Sequence, residues 1–128
     1  MKRSEINAAL KEMEGMIAQY CVALPPFCHF TPDEWKSKGH DYDEVRDNML
    51  GWDITDYGTG NFDKVGFSLI TIRNGNLGMS EKYPKTYAEK LLYLKEGPYA
   101  PMHFHWSKME DIIIFEKKDR KMGKDVVK

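Results

Sequence analysis

Several features that define large classes of protein are scarce in this chain. Nineteen basic and twenty acidic side chains leave a formal charge of −1 on 128 residues. This balance provides no long-range attraction for phosphate polyanions, so a nucleic-acid partner is disfavoured. No apolar run after Met1 is long enough for a signal peptide or a membrane span. We therefore expect a cytoplasmic protein without a membrane partner.

Cysteine is also scarce, since Cys21 and Cys28 are the only two. A reducing compartment keeps such residues as thiols, so we expect no disulfide. The length corresponds to one domain, and a content of 41% hydrophobic residues is enough to bury a core. The composition therefore favours a single folded domain and excludes a multi-domain enzyme.

Helix signals occupy the first fifty residues, where apolar side chains recur every three or four positions and capping residues precede each run. The pattern stops at each proline pair or glycine that follows. We predict three helices: residues 5–21 capped by Ser4, a short helix opened by a capping box from Thr31 to Glu34 and closed at Gly39, and Tyr42–Met49 with a second capping box between Asp41 and Glu44.

Strand signals begin at Trp52, where β-branched and aromatic residues alternate with polar ones. The pair Asn74-Gly75 is typical of a tight hairpin turn. We divide the chain into a helical segment (1–51), a β-strand region (52–116) and a charged tail (117–128). The predicted strands are Trp52–Ile54, Phe67–Ile72, Thr86–Leu94, Met102–Trp106 and Asp111–Glu116.

The strongest chemical signal is a pair of histidines, His103 and His105, within a predicted strand. Alternate strand residues share a face, so both imidazoles can reach one metal ion. A bend after His105 would bring Glu110 to the same ion, and two histidines with one carboxylate form a facial metal site. A histidine on a strand is more often structural. Here, however, Gly97 completes the spacing G-x5-H-x-H-x4-E of the first cupin motif.

The chain resembles the D-lyxose ketol-isomerases, a family of cupin sugar isomerases, over residues 1 to about 112. A resemblance of this length is more specific than the cupin motif alone. The segments that carry it are Met1–Asn7, Leu24–Phe27, Asp47–Gly58, Ile70–Gly75, Tyr87–Lys90 and Pro101–Trp106.

The resemblance implies an α+β fold in which N-terminal helices pack on a partial cupin jelly roll. It also implies a homodimer that interconverts D-lyxose and D-xylulose, with D-mannose as a further substrate. The implied ligands of a divalent metal, expected to be Mn²⁺, are His103, His105 and Glu110.

Two lysines are candidate catalytic residues that contact the sugar. Lys90 alternates with Ala88 and Leu92 in a predicted strand, which aims one ammonium among apolar groups. A surface position on an edge strand explains the same pattern equally well. Lys108 lies in the bend between His105 and Glu110, and the same two interpretations apply to it. The resemblance favours a substrate contact for both.

The sequence departs from the family pattern after Ile113. The family's fourth metal ligand is a later histidine, and no histidine follows His105 here. We therefore expect a truncated isomerase, an incomplete domain with impaired activity. Two alternatives stay open: a non-catalytic sugar-binding or dimerisation cupin module, and an Fe(II) cupin oxygenase, which would use a similar ligand set.

Overall fold

The computed structural model describes residues 1–107, 109 and 111–113, and it has an α+β architecture. Helices occupy the first part and an antiparallel sheet the second, so the predicted fold class is confirmed. The helices are α1 (Arg3–Gln19), α2 (Pro32–Ser37) and α3 (Asp43–Asp47), the strands are β1 (Gly51–Thr55), β2 (Phe67–Arg73) and β3 (Glu89–Tyr93), and short 3₁₀ turns span Pro26–His29, His40–Tyr42 and Leu77–Met79.

Helix α1 begins two residues earlier than predicted, and Ser4 is not its cap. Lys2 holds the cap position, and its backbone N–H donates to the carboxylate of Glu5. The Glu5 side chain therefore accepts the hydrogen bond that caps the first turn. Because the helix begins at Arg3, Ser4 lies inside it. Ala9 and Met13 are the buried residues of α1 and mark the face that packs on the sheet.

The predicted capping box of α2 is confirmed. The Glu34 backbone N–H donates to Oγ1 of Thr31 at 3.2 Å, and the Thr31 backbone N–H donates to the Glu34 carboxylate at 2.7 Å. The bond from the Thr31 backbone N–H, with a smaller contribution from the Thr31 side chain, holds the pKa of the Glu34 carboxyl below its usual range. Each end of the box thus satisfies a backbone donor that the helix itself leaves without a partner.

The second predicted capping box is wrong. Asp41 lies inside the 3₁₀ turn His40–Tyr42, and Tyr42 precedes α3 without a side-chain cap. Glu44 forms an ion pair with Lys85, which is 41 positions away in the chain. A tertiary ion pair has therefore replaced the local hydrogen bond that the spacing predicted.

The three strands form one antiparallel sheet in the order β1-β2-β3. Trp52, Ile70 and Leu91 are register partners and share the face toward α1. Ile70 has no exposed surface and clusters with Met13 of α1. Other members of this cluster are Cys28, Ile17, Leu24, Phe27 and Tyr93. The core therefore lies between α1 and this face of the sheet.

The opposite face of the sheet, here called the far face, carries the alternate residues of each strand. Leu69 and Thr71 of the central strand are buried on it. Their register partners on β3 are Leu92 and Lys90, which are exposed. Asp53 of β1 is opposite Leu69 and completes this face. The far face therefore combines apolar and charged side chains.

The predicted hairpin at Asn74-Gly75 is wrong, because residues 74–88 form a long connection from β2 to β3. The Asn74 side chain donates to the Asn48 carbonyl at 3.0 Å. A Cβ on Gly75 would lie 2.5 Å from the Lys85 carbonyl oxygen, so this close approach requires glycine. The asparagine and the glycine therefore hold a loop against α3 instead of forming a two-residue turn.

The first three predicted strands are present in the structure, whereas the last two are not seen as strands in the described residues. The strand at Thr86–Leu94 is confirmed with narrower bounds, whereas Met102–Trp106 is not a strand. A strand requires a hydrogen-bonded neighbour, and none lies beside this segment within the described residues. Residues 111–113 are likewise irregular, and residues 114–128 lie outside the described residues.

The three strands form a partial β domain, and its membership of a cupin jelly roll stays a prediction. None of the helices in the described part of the chain combines the length and apolar character that a membrane crossing requires.

Candidate metal centre

The histidine segment follows a bend at Glu96 and Gly97, which come after β3. Gly97 has a φ of +105°, a backbone conformation that side chains with a Cβ rarely adopt. Two residues later, the Tyr99 backbone N–H donates to the Lys64 carbonyl at 3.2 Å. The glycine that completes the motif therefore redirects the chain, and the Tyr99 bond fastens the segment to the loop before β2.

The imidazole rings of His103 and His105 contact each other. Their centroids are 5.0 Å apart and their planes meet at 85°, so the rings lie edge to face. Metal–nitrogen bonds of about 2.1 Å place two imidazoles of one ion with ring centres roughly 5 Å apart. The segment is not a strand, yet the two side chains share one side as the spacing predicted. The observed separation therefore suits a pair of ligands.

The backbone selects the nitrogen through which His103 can bind a metal. Its Nδ1 atom is 2.9 Å from the Pro101 carbonyl oxygen, which only accepts hydrogen bonds. Nδ1 therefore carries the proton, and in the neutral ring the lone pair resides on Nε2. Ligating histidines commonly hold their other nitrogen in this way, because the hydrogen bond fixes the tautomer and orients the ring.

The other predicted residues of the metal centre lie outside the described residues. These are the carboxylate ligand Glu110 and the candidate sugar contact Lys108. Within the part of the chain that is described, no group of three or more histidine, cysteine, aspartate or glutamate side chains could hold a metal ion. The structure thus provides two of the three predicted ligands in contact.

Lys90 lies on β3 opposite Thr71, on the far face of the sheet. Its side chain is exposed, as is that of Leu92 two residues later. The predicted alternation with Leu92 is confirmed, and both residues point away from α1. Because β3 is an edge strand of the described sheet, Lys90 lies at that edge. A role of Lys90 in sugar binding stays a prediction.

A groove that the sequence did not predict opens between the short helical segments and β1. Its volume is about 580 Å³, within the usual size range of small-molecule pockets. Burial raises the pKa of the Cys28 thiol beside it to about 11. The aromatic residues that line it are spread over 26 positions, so no local motif indicates the groove. The lining residues are Phe27, Cys28, Phe30, Trp35, Val45, Arg46, Met49, Leu50, Gly51 and Trp52.

Comparison with known proteins places these features in a family. The sequence model of the D-lyxose isomerase family matches residues 1–119, which is nearly the whole chain. The chain belongs to the D-lyxose isomerase family. The match includes Gly97, the histidine pair and both candidate lysines, so the resemblance noted from the sequence is confirmed.

Two curated relatives of this D-lyxose isomerase family member are similar over most of its length. It is 44% identical over 114 residues to the D-lyxose/D-mannose isomerase of Serratia proteamaculans. It is 45% identical over 115 residues to the D-lyxose/D-mannose isomerase of Escherichia coli O157:H7. Each match covers 88% of this chain and 50% of the relative. The chain thus spans about half the length of the curated relatives it matches.

Proposed function

We propose that this chain provides the metal-binding part of a sugar isomerase that interconverts D-lyxose and D-xylulose, with D-mannose as a second substrate. The observation that carries the proposal is the contact between His103 and His105 inside a chain that belongs to the D-lyxose isomerase family. The names of the two relatives support the choice of D-lyxose and D-mannose.

The proposed metal ligands are His103, His105 and Glu110, and the proposed ion is Mn²⁺. Imidazole and carboxylate ligands suit a divalent metal of this kind. When bound, the ion would polarise the sugar carbonyl and stabilise negative charge on its oxygen. His103 would bind through Nε2, since its Nδ1–H donates to Pro101. That hydrogen bond holds the ring at the angle found here, so the ligand is oriented before the metal arrives.

In this proposal, Lys90 and Lys108 bind and orient the sugar. An aldose becomes a ketose when hydrogen moves between C1 and C2, and the sugar oxygens carry developing charge during that step. Lys90 on the far face can donate hydrogen bonds to such an oxygen through its three ammonium N–H groups. We assign the same role to Lys108. This arrangement is compatible with transfer of the hydrogen between C1 and C2 either as a proton or as a hydride.

Two further expectations belong to the same proposal. The assembled enzyme is a homodimer, which light scattering of the active protein tests. Its compartment is the cytoplasm.

A chimera of family length tests the proposed function. It joins residues 1–119 of this chain to the half of the Escherichia coli O157:H7 relative that this chain does not match. We expect Mn²⁺-dependent conversion of D-lyxose to D-xylulose. Lys90→Met should lower kcat/KM by at least about a hundredfold, since a charged contact to the reacting sugar is lost.

The matched control is Lys64→Met, because Lys64 is exposed in the loop before β2 and lies outside the proposed site. It should retain the activity of the parent chimera. A folded chimera that is inactive on D-lyxose, D-mannose and the other pentoses and hexoses would contradict the proposal. Oxygen consumption with Fe(II) would favour the oxygenase alternative instead.

A further inference from the structure

Asn74 is followed by Gly75, and this is the one Asn-Gly pair in the sequence. Such a pair deamidates readily in an unfolded chain, because glycine has no Cβ to shield its backbone nitrogen from the asparagine side chain. In the structure the pair is half-buried in the long β2–β3 connection. The fold therefore controls how often the two reacting groups meet.

Deamidation at this pair is a reaction with water that needs no enzyme. The Gly75 backbone nitrogen loses its proton to hydroxide and attacks Cγ of Asn74, which forms a new C–N bond and closes a succinimide ring. The bond from Cγ to Nδ2 breaks, and the side-chain nitrogen takes up a proton from water and leaves as ammonia. Water then opens the ring at either carbonyl, which yields aspartate or isoaspartate at position 74.

Both reacting groups are held by contacts with other parts of the chain. The Asn74 side-chain amide donates to the Asn48 carbonyl at 3.0 Å, and the Asn48 side-chain amide donates to the Asn74 carbonyl at 3.3 Å. Gly75 lies so close to Lys85 that an added Cβ would be 2.5 Å from the Lys85 carbonyl oxygen. Ring closure expels Nδ2, so it requires the hydrogen bond from Asn74 to Asn48 to break.

We propose that Asn74 is a latent deamidation site, which the hydrogen bonds from Asn48 to Asn74 and Asn76, here called the Asn48 network, protect in the folded protein. The reaction then proceeds through molecules in which the β2–β3 connection has opened locally. When opening and closing are fast, its rate follows the population of that open form.

The product would weaken the contact that delays its formation. An ionised aspartate at position 74 accepts hydrogen bonds and has no N–H group in its side chain. The Asn48 carbonyl would therefore lose its donor and face a carboxylate at a half-buried position, which is unfavourable. Isoaspartate would in addition lengthen the backbone. Deamidation would thus release the connection from α3, and water cannot reverse it.

Timed incubation of the 128-residue chain at pH 8, followed by trypsin digestion and mass spectrometry, tests this proposal. Trypsin cleaves after Arg73 and Lys82 and releases residues 74–82, in which replacement of the side-chain NH₂ by OH is a mass gain. Fragmentation separates Asn74 from Asn76. We expect Asn74 to deamidate at least about tenfold more slowly in the native chain than in the chain unfolded in guanidinium. Neither sugar nor metal is present, so the result is independent of the proposed function.

Two variants separate local protection from overall stability. Asn48→Ala removes the side-chain bonds to Asn74 and Asn76 and should raise the native rate at Asn74 at least about fivefold. Ile70→Val is the matched control, since Ile70 is fully buried in the core between α1 and the sheet and its shortened side chain lowers overall stability. It should leave the native rate within about twofold of the parent. Circular dichroism checks that both variants are folded.

A third variant tests the effect of the product. Asn74→Asp reproduces one of the two products, and the backbone amides of residues 75–79 should exchange with deuterium at least about tenfold faster than in the parent. Exchange at the parent rate would contradict release of the connection.

Three results would overturn the protection of Asn74. The first is equal deamidation in the native and unfolded chains. The second is a folded Asn48→Ala variant that reacts at the parent rate. The third is an equal increase in Asn48→Ala and Ile70→Val, which would show that the reaction proceeds through global unfolding.

Discussion

Asn76 donates a hydrogen bond from its side-chain amide to Oδ1 of Asn48 at 3.0 Å. Asn48 is 1% exposed, and its own amide donates to the Asn74 carbonyl at 3.3 Å. Asn76 also donates to the Asp47 carbonyl at 3.1 Å. These hydrogen bonds attach the long β2–β3 connection to the C-terminal end of α3. The connection is therefore packed against the helix.

Removal of the Asn48 amide should therefore destabilise the protein. Asn48→Ala leaves the half-buried Asn74 carbonyl without its Asn48 donor and removes one of the two acceptors of the Asn76 amide. Loss of such partners costs about 1–3 kcal/mol of unfolding free energy. Urea denaturation followed by circular dichroism measures the loss. Asn7→Ala is the matched control, because Asn7 is exposed on α1 and its change should stay within about 0.5 kcal/mol. Equal stability of the two variants would show that the network is not structural.

A second set of hydrogen bonds, which joins the same loop to Asp47, depends on pH. Tyr83 donates to the Asp47 carboxylate at 2.6 Å and Lys82 donates at 3.3 Å, and these bonds hold the pKa of Asp47 below its usual value of 3.8. The folded state thus favours the ionised carboxylate. Its contribution is present above pH 3.8 and is lost as pH falls through the lowered pKa. Tyr83→Phe should therefore destabilise the protein at pH 7 and have a smaller effect at low pH.

Thermal unfolding of the parent and Tyr83→Phe proteins at pH 7, 5 and 3 measures this difference. On the alkaline side the same bond raises the pKa of Tyr83 above 10.0. The folded state then favours the protonated phenol, so this contribution is present below pH 10 and is lost as pH rises further. A difference between the two proteins that is constant from pH 7 to pH 3 would contradict the assignment to Asp47.

The helical half shows how far local sequence patterns predict this fold. The Thr31–Glu34 capping box was predicted correctly because both hydrogen bonds lie within three residues. Asp41 and Glu44 have the same spacing, but Glu44 pairs with the distant Lys85. Tertiary contacts of this kind leave no local signal, and the same limit applies to the Asn48 network and the aromatic groove.

The sequence likewise predicted some features of the candidate site correctly and others incorrectly. Alternation correctly predicted that His103 and His105 would share a side. It also predicted a strand, which is wrong because a strand depends on a hydrogen-bonded neighbour and not on alternation alone. The hydrogen bond from His103 to Pro101 follows from the local backbone path, which residue types do not specify.

The two thiols should differ in reactivity. Cys21 is exposed, whereas Cys28 is buried and has its pKa raised from 9.0 to about 11. The thiolate fraction of Cys28 near pH 8 is therefore about a hundredfold below that of a thiol at 9.0. We expect a thiol reagent to label Cys21 rapidly in the native protein and both cysteines after unfolding without reduction. A mass two hydrogens lower, with no labelling after unfolding, would indicate a disulfide and contradict the expected reducing compartment.

The 128-residue chain alone should not isomerise D-lyxose at a measurable rate with Mn²⁺. His103 and His105 are exposed, so water has free access to the proposed binding positions of the sugar oxygens. Misplacement by about 1 Å can lower a rate on the order of a hundredfold. A coupled assay for D-xylulose measures the outcome, with the family-length chimera as the positive control. Robust turnover by the 128-residue chain that Glu110→Ala abolishes would contradict this prediction and support the isomerase assignment.

Metal affinity tests the central claim most directly. Mn²⁺ binding by the 128-residue chain is measured by equilibrium dialysis with elemental analysis, for the parent and for three single histidine variants. We predict that His103→Ala and His105→Ala each weaken binding at least about tenfold, because each removes a proposed ligand. His40→Ala should bind like the parent, since His40 is an exposed side chain paired with Asp43. Equal metal content in the parent, His103→Ala and His105→Ala would contradict a metal centre at this histidine pair.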